Sequence, residues 1–244
     1  MKLQFMSDLH INNYNKVIEI EPNAPYLALI GDICDAYNPK LYNLLQDVSN
    51  KFERVLFTPG NHEYYENNVE DVDIYLADIC NELGIDFLQK KTVEIEGVLL
   101  SGCTLWSKPS LGSFYKANDN KWIKNFDRNR MIIEHKNHLD FLYKELLLNE
   151  NKPHVLLTHY VPMFEMNGIY VTAPYTDMFA TDLKHIFKYP IKYWLCGHVH
   201  QNLTIIHNNI PCITNCLGNP EEIEVNRTFE MQKNIEIYLN ENKK

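Results

Sequence analysis

The chain has 244 residues, 45% of them hydrophobic, enough to bury a substantial core and near the upper size of one domain. A formal charge of −9 excludes a protein whose main business is coating nucleic acid or an anionic membrane, so any anionic ligand needs a locally positive site. No apolar run approaches the roughly 20 residues of a membrane span, and the N-terminal "MKLQFMSDLH" lacks the apolar stretch of a signal peptide, so a soluble cytoplasmic protein is expected.

In chain order, "KLQFM" at 2 to 6 and "YLALI" at 26 to 30 read as buried strands. After Pro39, Leu41, Leu44, Leu45, Val48 and Phe52 follow helix spacing, and the strand "RVLF" comes at 54 to 57. Helix spacing returns with Val69, Val72, Leu76, Ile79 and Leu83, and "TVEIEGVLLSG" at 92 to 102 predicts a hairpin. A third helix carries Ile132, Leu139, Leu142, Leu146 and Leu147 before the strands "HVLLT" at 154 to 158 and "KYWLC" at 192 to 196. A second hairpin over 203 to 214 turns at Asn208-Asn209, and "NIEIYLN" at 234 to 240 alternates like a last strand.

Strand alternating with helix means α/β with largely parallel pairing, here with antiparallel strands mixed in. No repeat, low-complexity tract or linker divides the chain, which predicts a single domain over residues 1–244. The least regular stretch, 106 to 130, sets Lys108, Lys116, Lys121, Lys124, Arg128 and Arg130 against Asp119 and Asp127. It reads either as a solvated loop or as a rim that attracts an anionic substrate. Cys34, Cys80, Cys103, Cys196, Cys212 and Cys216 sit in apolar runs and read as buried free thiols of a reducing compartment. The lone C-x₃-C of Cys212 and Cys216 is a weak metal signal.

The polar residues gather just behind the strands. Asp8 and His10 follow the first, Asp32 and Asp35 the second, and Asn61, His62 and Glu63 the third; His159 ends "HVLLT", and His198 and His200 follow "KYWLC". Singly, each has a structural reading as a cap, a turn residue or a satisfied core histidine. Together they reverse that weighing, because groups placed after successive strands of an α/β sheet converge at its carboxyl edge. Asp8, His10, Asp32, Asn61, His159, His198 and His200 form a mixed oxygen and nitrogen set, suited to Mn, Fe or Zn more than to a soft thiolate-bound metal. Seven ligands exceed one metal with an open position; two ions roughly 3.5 to 4 Å apart account for them and form the clamp used on phosphate esters.

These residues resemble the calcineurin-like metallophosphoesterase superfamily, whose blocks D-x-H, G-D-x-x-D, G-N-H-[DE], a lone His and G-H-x-H run in that order. They stand here as Asp8-Leu9-His10, Gly31-Asp32-Ile33-Cys34-Asp35, Gly60-Asn61-His62-Glu63, His159 and Gly197-His198-Val199-His200. The resemblance implies a four-layer α/β/β/α sandwich of two mixed β-sheets with a dinuclear metal site at the C-terminal strand ends. It further implies that Asp8, His10 and His200 bind one divalent or trivalent ion, that Asn61, His159 and His198 bind the other, and that Asp32 bridges. His62 would then be catalytic, assisting the leaving group while a metal-bridging hydroxide attacks phosphorus. Gly60 lets the chain bend so that Asn61 and His62 face one site.

Two divalent ions against Asp8, Asp32 and a hydroxide leave a surplus of about +1, which Asn61 preserves where an aspartate would cancel it. Asn61→Asp is therefore expected to keep metal and weaken anion binding. Asp35 is followed by Ala36-Tyr37-Asn38, which departs from the protein serine/threonine phosphatases, and stands where purple acid phosphatases place a tyrosine. It reads as a residue behind the metal ligands or as a helix-start acid. "GCTLWS", "NDNKWIKNF" and "NCLGNPEE" look like the small phosphohydrolases of the superfamily.

The expected activity is hydrolysis of a small phosphate ester, monoester or diester, with a nucleotide among the candidates and Mn the first choice of metal. A nuclease is the next reading: the net charge and the absence of a DNA-capping domain oppose it, and the basic stretch favours it. A binding scaffold without turnover is third; such relatives lose the histidine at position 62, which this chain retains. Tyr64, Tyr65, Trp106, Tyr170 and Tyr175 read as stacking platforms for a base or aryl group, or as packing. His135, His138, His154, His185 and His207 fall outside every motif and are assigned no role. Oligomeric state is left open.

Overall fold

The computed structural model describes residues 1–188 and 190–238. The elements run β1 (Lys2–Met6), β2 (Tyr26–Ile30), α1 (Pro39–Lys51), β3 (Arg54–Thr58), α2 (Val69–Glu82), β4 (Asp86–Phe87), β5 (Lys91–Ile95) and β6 (Val98–Cys103). They continue with α3 (Leu111–Phe114), α4 (Asp119–Trp122), α5 (Arg128–Leu148), β7 (His154–Thr158), β8 (Ile191–Cys196), β9 (Thr204–His207), β10 (Ile210–Thr214), α6 (Ile223–Thr228) and β11 (Asn234–Glu236).

Two mixed sheets result, in the orders β11-β1-β2-β3-β4 and β5-β6-β7-β8-β10-β9. β1 to β4 run parallel, with β11 antiparallel at one edge. β6, β7, β8 and β10 run parallel, with the hairpin partners β5 and β9 antiparallel at the two edges. The hairpin turns take positive φ at Glu96 and Gly97 and at Asn208 and Asn209, the backbone that tight two-residue turns demand.

Strand alternation sorts the apolar side chains into layers. Leu3, Phe5, Ala28, Ile30 and Leu56 of one sheet meet Val98, Leu100, Val155, Leu157, Leu195 and Ile213 of the other in an inter-sheet core. The alternate residues, Leu27, Leu29, Val55, Phe57, Leu156 and Trp194, join the helices in a second cluster. Being covered on both faces is why these strands read as continuous apolar runs. α1 and α2 lie along the first sheet and α5 along the second, which completes the four layers. Side-chain caps start the helices: the Lys40 amide donates to Asn38 Oδ1 (3.1 Å) and the Arg130 amide to Asp127 Oδ1 (2.7 Å).

Three expectations hold only in part. The expected face of α5 holds in part: Leu142 is buried and Leu139 and Leu146 pack against the core, but the inner side also carries Met131, Glu134, His135 and His138, and Leu147 is 74% exposed. The helix turns toward the sheet because its histidines find partners there: the Leu105 amide donates to His138 Nδ1 (2.9 Å), and His135 Nδ1 pairs with the Trp106 carbonyl. The stretch 106 to 130 is only partly solvated: Lys108, Lys116, Lys121 and Lys124 are exposed, but Ser113, Phe114, Asp119, Ile123 and Phe126 are buried. Of the last strand, the pairing covers Asn234–Glu236, and 239 and 240 lie outside the described residues. Among the described residues no helix is long and apolar enough to cross a membrane.

Leu157→Ala, which empties the inter-sheet core, is expected to cost about 2–5 kcal/mol in urea denaturation. Leu147→Ala should cost no more than about 0.5 kcal/mol; equal losses would contradict the layer assignment.

Candidate metal centre and cavity

The carboxyl ends of β1, β2, β3, β7 and β8 point to one edge shared by both sheets, and the seven expected ligands and His62 meet at it. The sheets are joined at this point: His159 Nδ1 lies 3.0 Å from the Ile30 carbonyl, and the His198 amide donates to the Asp8 carboxylate (3.0 Å), while the amides of Asp8 and His10 donate to the carbonyls of Gly31 and Asp32 (2.9 and 3.0 Å) within the first sheet. Asp8, His10, Asp32, His198 and His200 all take positive φ, from 41° to 71°. Side chains rarely adopt that backbone, and its concentration here marks strain held by the surrounding fold.

Two glycines are required by close approach. A Cβ at Gly60 would stand 2.2 Å from Asp32 Oδ1, and one at Gly31, at φ +77°, would stand 2.4 Å from His159 Nδ1. Gly60 thus makes room for Asp32, with no positive φ of its own.

The functional atoms form two adjacent groups, with Asp32 of one 3.9 Å from His10 of the other. Asp8, His10 and His200 offer atoms within 4.8 Å of one another, and so do Asp32, His159 and His198. Asp32 makes a further such group with His10 and His62. His10 Nε2 and His200 Nε2 lie 3.0 Å apart, and His200 Nε2 lies 3.3 Å from Asp8 Oδ1. His159 Nε2 lies 3.3 Å from Asp32 Oδ2 and 3.1 Å from Asn61 Oδ1. His198 Nε2 and His10 Nδ1 are buried without a hydrogen-bond partner. Orphaned buried nitrogens facing crowded carboxylates are what a cation would satisfy.

In the metal-free protein, protons do part of that work. Burial lowers the His159 and His200 pKa values, but Asp32 raises the first to about 9 and the Asp8 and Glu222 carboxylates raise the second to about 10. Burial takes His10 down to about 4 and His198 well below the ordinary histidine value. Against burial, His200 and His159 hold Asp8 below the usual carboxylate range.

Three residues not assigned from sequence hold the cluster in place. Glu63, fully buried, accepts from the backbone amides of Gly60 (2.7 Å), Asp32 (2.9 Å), Ile33 (2.7 Å) and Cys34 (3.3 Å). Burial and the Asp32 charge push its pKa up to about 7. Glu222 Oε2 lies 2.6 Å from His200 Nδ1. Asp119 accepts from Asn61 Nδ2 (2.9 Å) and from the hydroxyls of Tyr65 (3.1 Å) and Tyr160 (3.0 Å). The sequence signals were slight: the fourth letter of "GNHE", the second acid of "NPEE" and an acid inside a basic stretch. Asp35 starts no helix, since Asn38 does so; it accepts from Asn12 Nδ2 at 3.4 Å.

A cavity of about 610 Å³ opens on the cluster, a size suited to a small ligand. Tyr65, Tyr170, Tyr175 and Phe179 line it with Asp119, Glu222 and Lys116. Tyr64 and Trp106 are fully buried and serve packing. The His62 backbone amide donates to Asp32 Oδ1 (2.8 Å), and its side chain, 31% exposed against 2% for Asp32, reaches the cavity.

Two mixed sheets with histidines, carboxylates and an amide gathered at the strand ends define the metallophosphoesterase class of fold. The chain matches the model of the calcineurin-like phosphoesterase family over residues 1–202, and it belongs to that family, whose members depend on divalent metal ions. It is 29% identical over 258 residues to the uncharacterized protein L509 of Acanthamoeba polyphaga mimivirus, covering 90% of this chain and 92% of that one. Among solved structures it resembles the phosphopantetheinyl hydrolase PptH of Mycobacterium tuberculosis (TM-score 0.74, 17% identity, 91% of each chain covered). It also resembles a candidate 5′-nucleotidase of Staphylococcus aureus (TM-score 0.52, 13% identity, 89% of this chain and 48% of that one). At these identities the two structures speak for the fold.

Glu63→Gln removes one of the two oxygens that gather four amides, and charge-assisted bonds of this kind contribute about 1.5–3 kcal/mol each. Thermal and urea unfolding should show a loss of that size, and an unperturbed stability would mean that Glu63 does not tie the loops together.

Proposed function

We propose that the chain is a dinuclear metal-dependent phosphoesterase acting on a small phosphate ester, with residues 1–244 forming one catalytic domain. Asp8, His10 and His200 would hold one ion, Asn61, His159 and His198 the other, with Asp32 between them. The observation that carries this reading is that two sets of metal-type ligands, Asp8-His10-His200 and Asp32-His159-His198, lie side by side, with Asp32 Oδ2 of the second 3.9 Å from His10 Nε2 of the first. The oxygen and nitrogen donor set fits Mn first, then Fe or Zn. When bound, such ions supply the Lewis acidity and the acidified water that phosphoester hydrolysis needs.

The rest falls to the chain's own residues. His62 is turned to the cavity, its ring packed 4.2 Å from Tyr65 and 4.6 Å from His10 between centroids. That placement suits hydrogen bonding to a phosphate oxygen and proton donation to the departing oxygen. The aromatic wall of Tyr65, Tyr170, Tyr175 and Phe179 favours a leaving group with a flat or apolar part, a nucleoside included. Among the described residues that line the cavity Lys116 is the one Lys or Arg, and with Asp119 and Glu222 beside it this disfavours a nucleic-acid groove and weakens the nuclease reading. The retained cluster likewise gives no support to a scaffold without turnover. The six free cysteines are consistent with a reducing, cytoplasmic compartment.

Turnover of nitrophenyl phosphate and bis-nitrophenyl phosphate with added Mn²⁺ tests the activity, and the preferred ester separates monoesterase from diesterase. His62→Ala should lower kcat about 10²–10⁴-fold while both metals remain by elemental analysis; metal loss in this variant would make His62 a ligand. Asn61→Asp should weaken inhibition by phosphate. Because the Asn61 amide donates to Asp119, this substitution also sets two carboxylates together and should lower the stability of the metal-free protein. Unchanged phosphate inhibition would remove the charge argument.

A further inference from the structure

Asp119 reaches three residues of the cluster at once. It lies in the stretch that the sequence marks as basic, yet it is only 3% exposed. The backbone fixes it there: the Glu66 amide donates to the Trp122 carbonyl (2.6 Å) and the Lys124 amide to the Asn67 carbonyl (2.8 Å), stitching α4 to the loop that carries Asn61 and His62. All three neighbours of the Asp119 carboxylate are donors. Asn61 gives its Nδ2, which leaves Oδ1 turned to His159 Nε2 at 3.1 Å. Tyr65 gives its hydroxyl while its ring packs on His62, and Tyr160 gives its hydroxyl while its ring stacks on His198 with centroids 4.0 Å apart.

An asparagine amide can present either its oxygen or its nitrogen, and only the oxygen can bind a cation. An acceptor-only partner on Nδ2 removes that ambiguity. We infer that Asp119 is the positioning residue of the metal centre: it fixes the Asn61 carboxamide with Oδ1 toward the cation site and, through Tyr160 and Tyr65, sets the rings of His198 and His62. This rests on the dinuclear reading above and adds to it a residue that touches neither ion nor substrate. Outer partners of this kind typically carry a 10–100-fold effect on metal affinity.

The test is Mn²⁺ binding to full-length protein, followed by calorimetry and by the spin-coupled electron paramagnetic resonance signal of an ion pair, alongside the unfolding temperature of the metal-free form. Asp119→Ala should weaken one of the two Mn²⁺ sites about 10–100-fold and abolish the coupled signal at substoichiometric metal. Asp119→Asn keeps an oxygen for Asn61 and should restore most of the affinity. A purely structural role would lower the unfolding temperature without separating the two sites and without rescue by asparagine. If Asp119→Ala does not fold, Tyr160→Phe removes one anchor and keeps the ring on His198; a loss of about threefold or more at one site supports the inference, and no loss opposes it. Two Mn²⁺ bound to Asp119→Ala as tightly as to wild type overturn the role of Asp119 alone. Wild-type protein that binds no pair of Mn²⁺ overturns the dinuclear reading and this inference together.

Discussion

The site depends on one buried carboxylate that neither binds a substrate nor faces solvent. Glu63 gathers four backbone amides, those of Gly60, Asp32, Ile33 and Cys34, and so clamps the loop after β2 to the loop after β3. Parallel neighbouring strands bring their ends within reach, but they do not fix where the following residues point. The clamp fixes it for Asp32, Asn61 and His62 at once. It also forces the contact between Gly60 and Asp32 that excludes any side chain at position 60. The positive φ values of the residues after β1, β2 and β8 become tolerable because these loops have no room to relax.

Charge in the cluster is layered. Asp8 and Asp32 stand among the histidines; Glu222 sits behind His200 and Asp119 behind Asn61. These outer acids offset the positive surplus that a count of the inner residues alone suggests. Orientation is the return: imidazoles and amides have two faces, and a carboxylate behind one face determines which atom is presented by the other. The cavity combines the same outer acids, Asp119 and Glu222, with aromatic rings and Lys116.

The family motifs were legible because metal chemistry narrows residue choice. Asp, His and Asn at strand ends stand out against apolar runs, and the runs themselves were legible because both faces of each central strand are buried. Where a helix packs on polar partners the signal was incomplete: the apolar spacing of α5 found Leu139, Leu142 and Leu146, but it added the exposed Leu147 and missed His135 and His138 on the inward side. The signal of the stretch 106 to 130 was incomplete for a related reason. Its charges average to a basic loop, but of its charged residues Asp119 is the buried one, and which residue of an irregular segment is buried depends on contacts with 65–67 that lie far away in sequence.

The sequence by itself determined the fold class, the order of the strands that carry chemistry and the identity of the inner polar residues, since apolar periodicity and donor chemistry are local properties of the chain. Only the tertiary structure decided how those residues are held. The clamp of Glu63, the carboxylates behind His200 and Asn61, and the separation of Tyr64 and Trp106 as packing from Tyr65, Tyr170 and Tyr175 as cavity wall arise from contacts between distant segments. A buried carboxylate and an exposed one are the same letter; the number of donors that surround it is set by the folded chain.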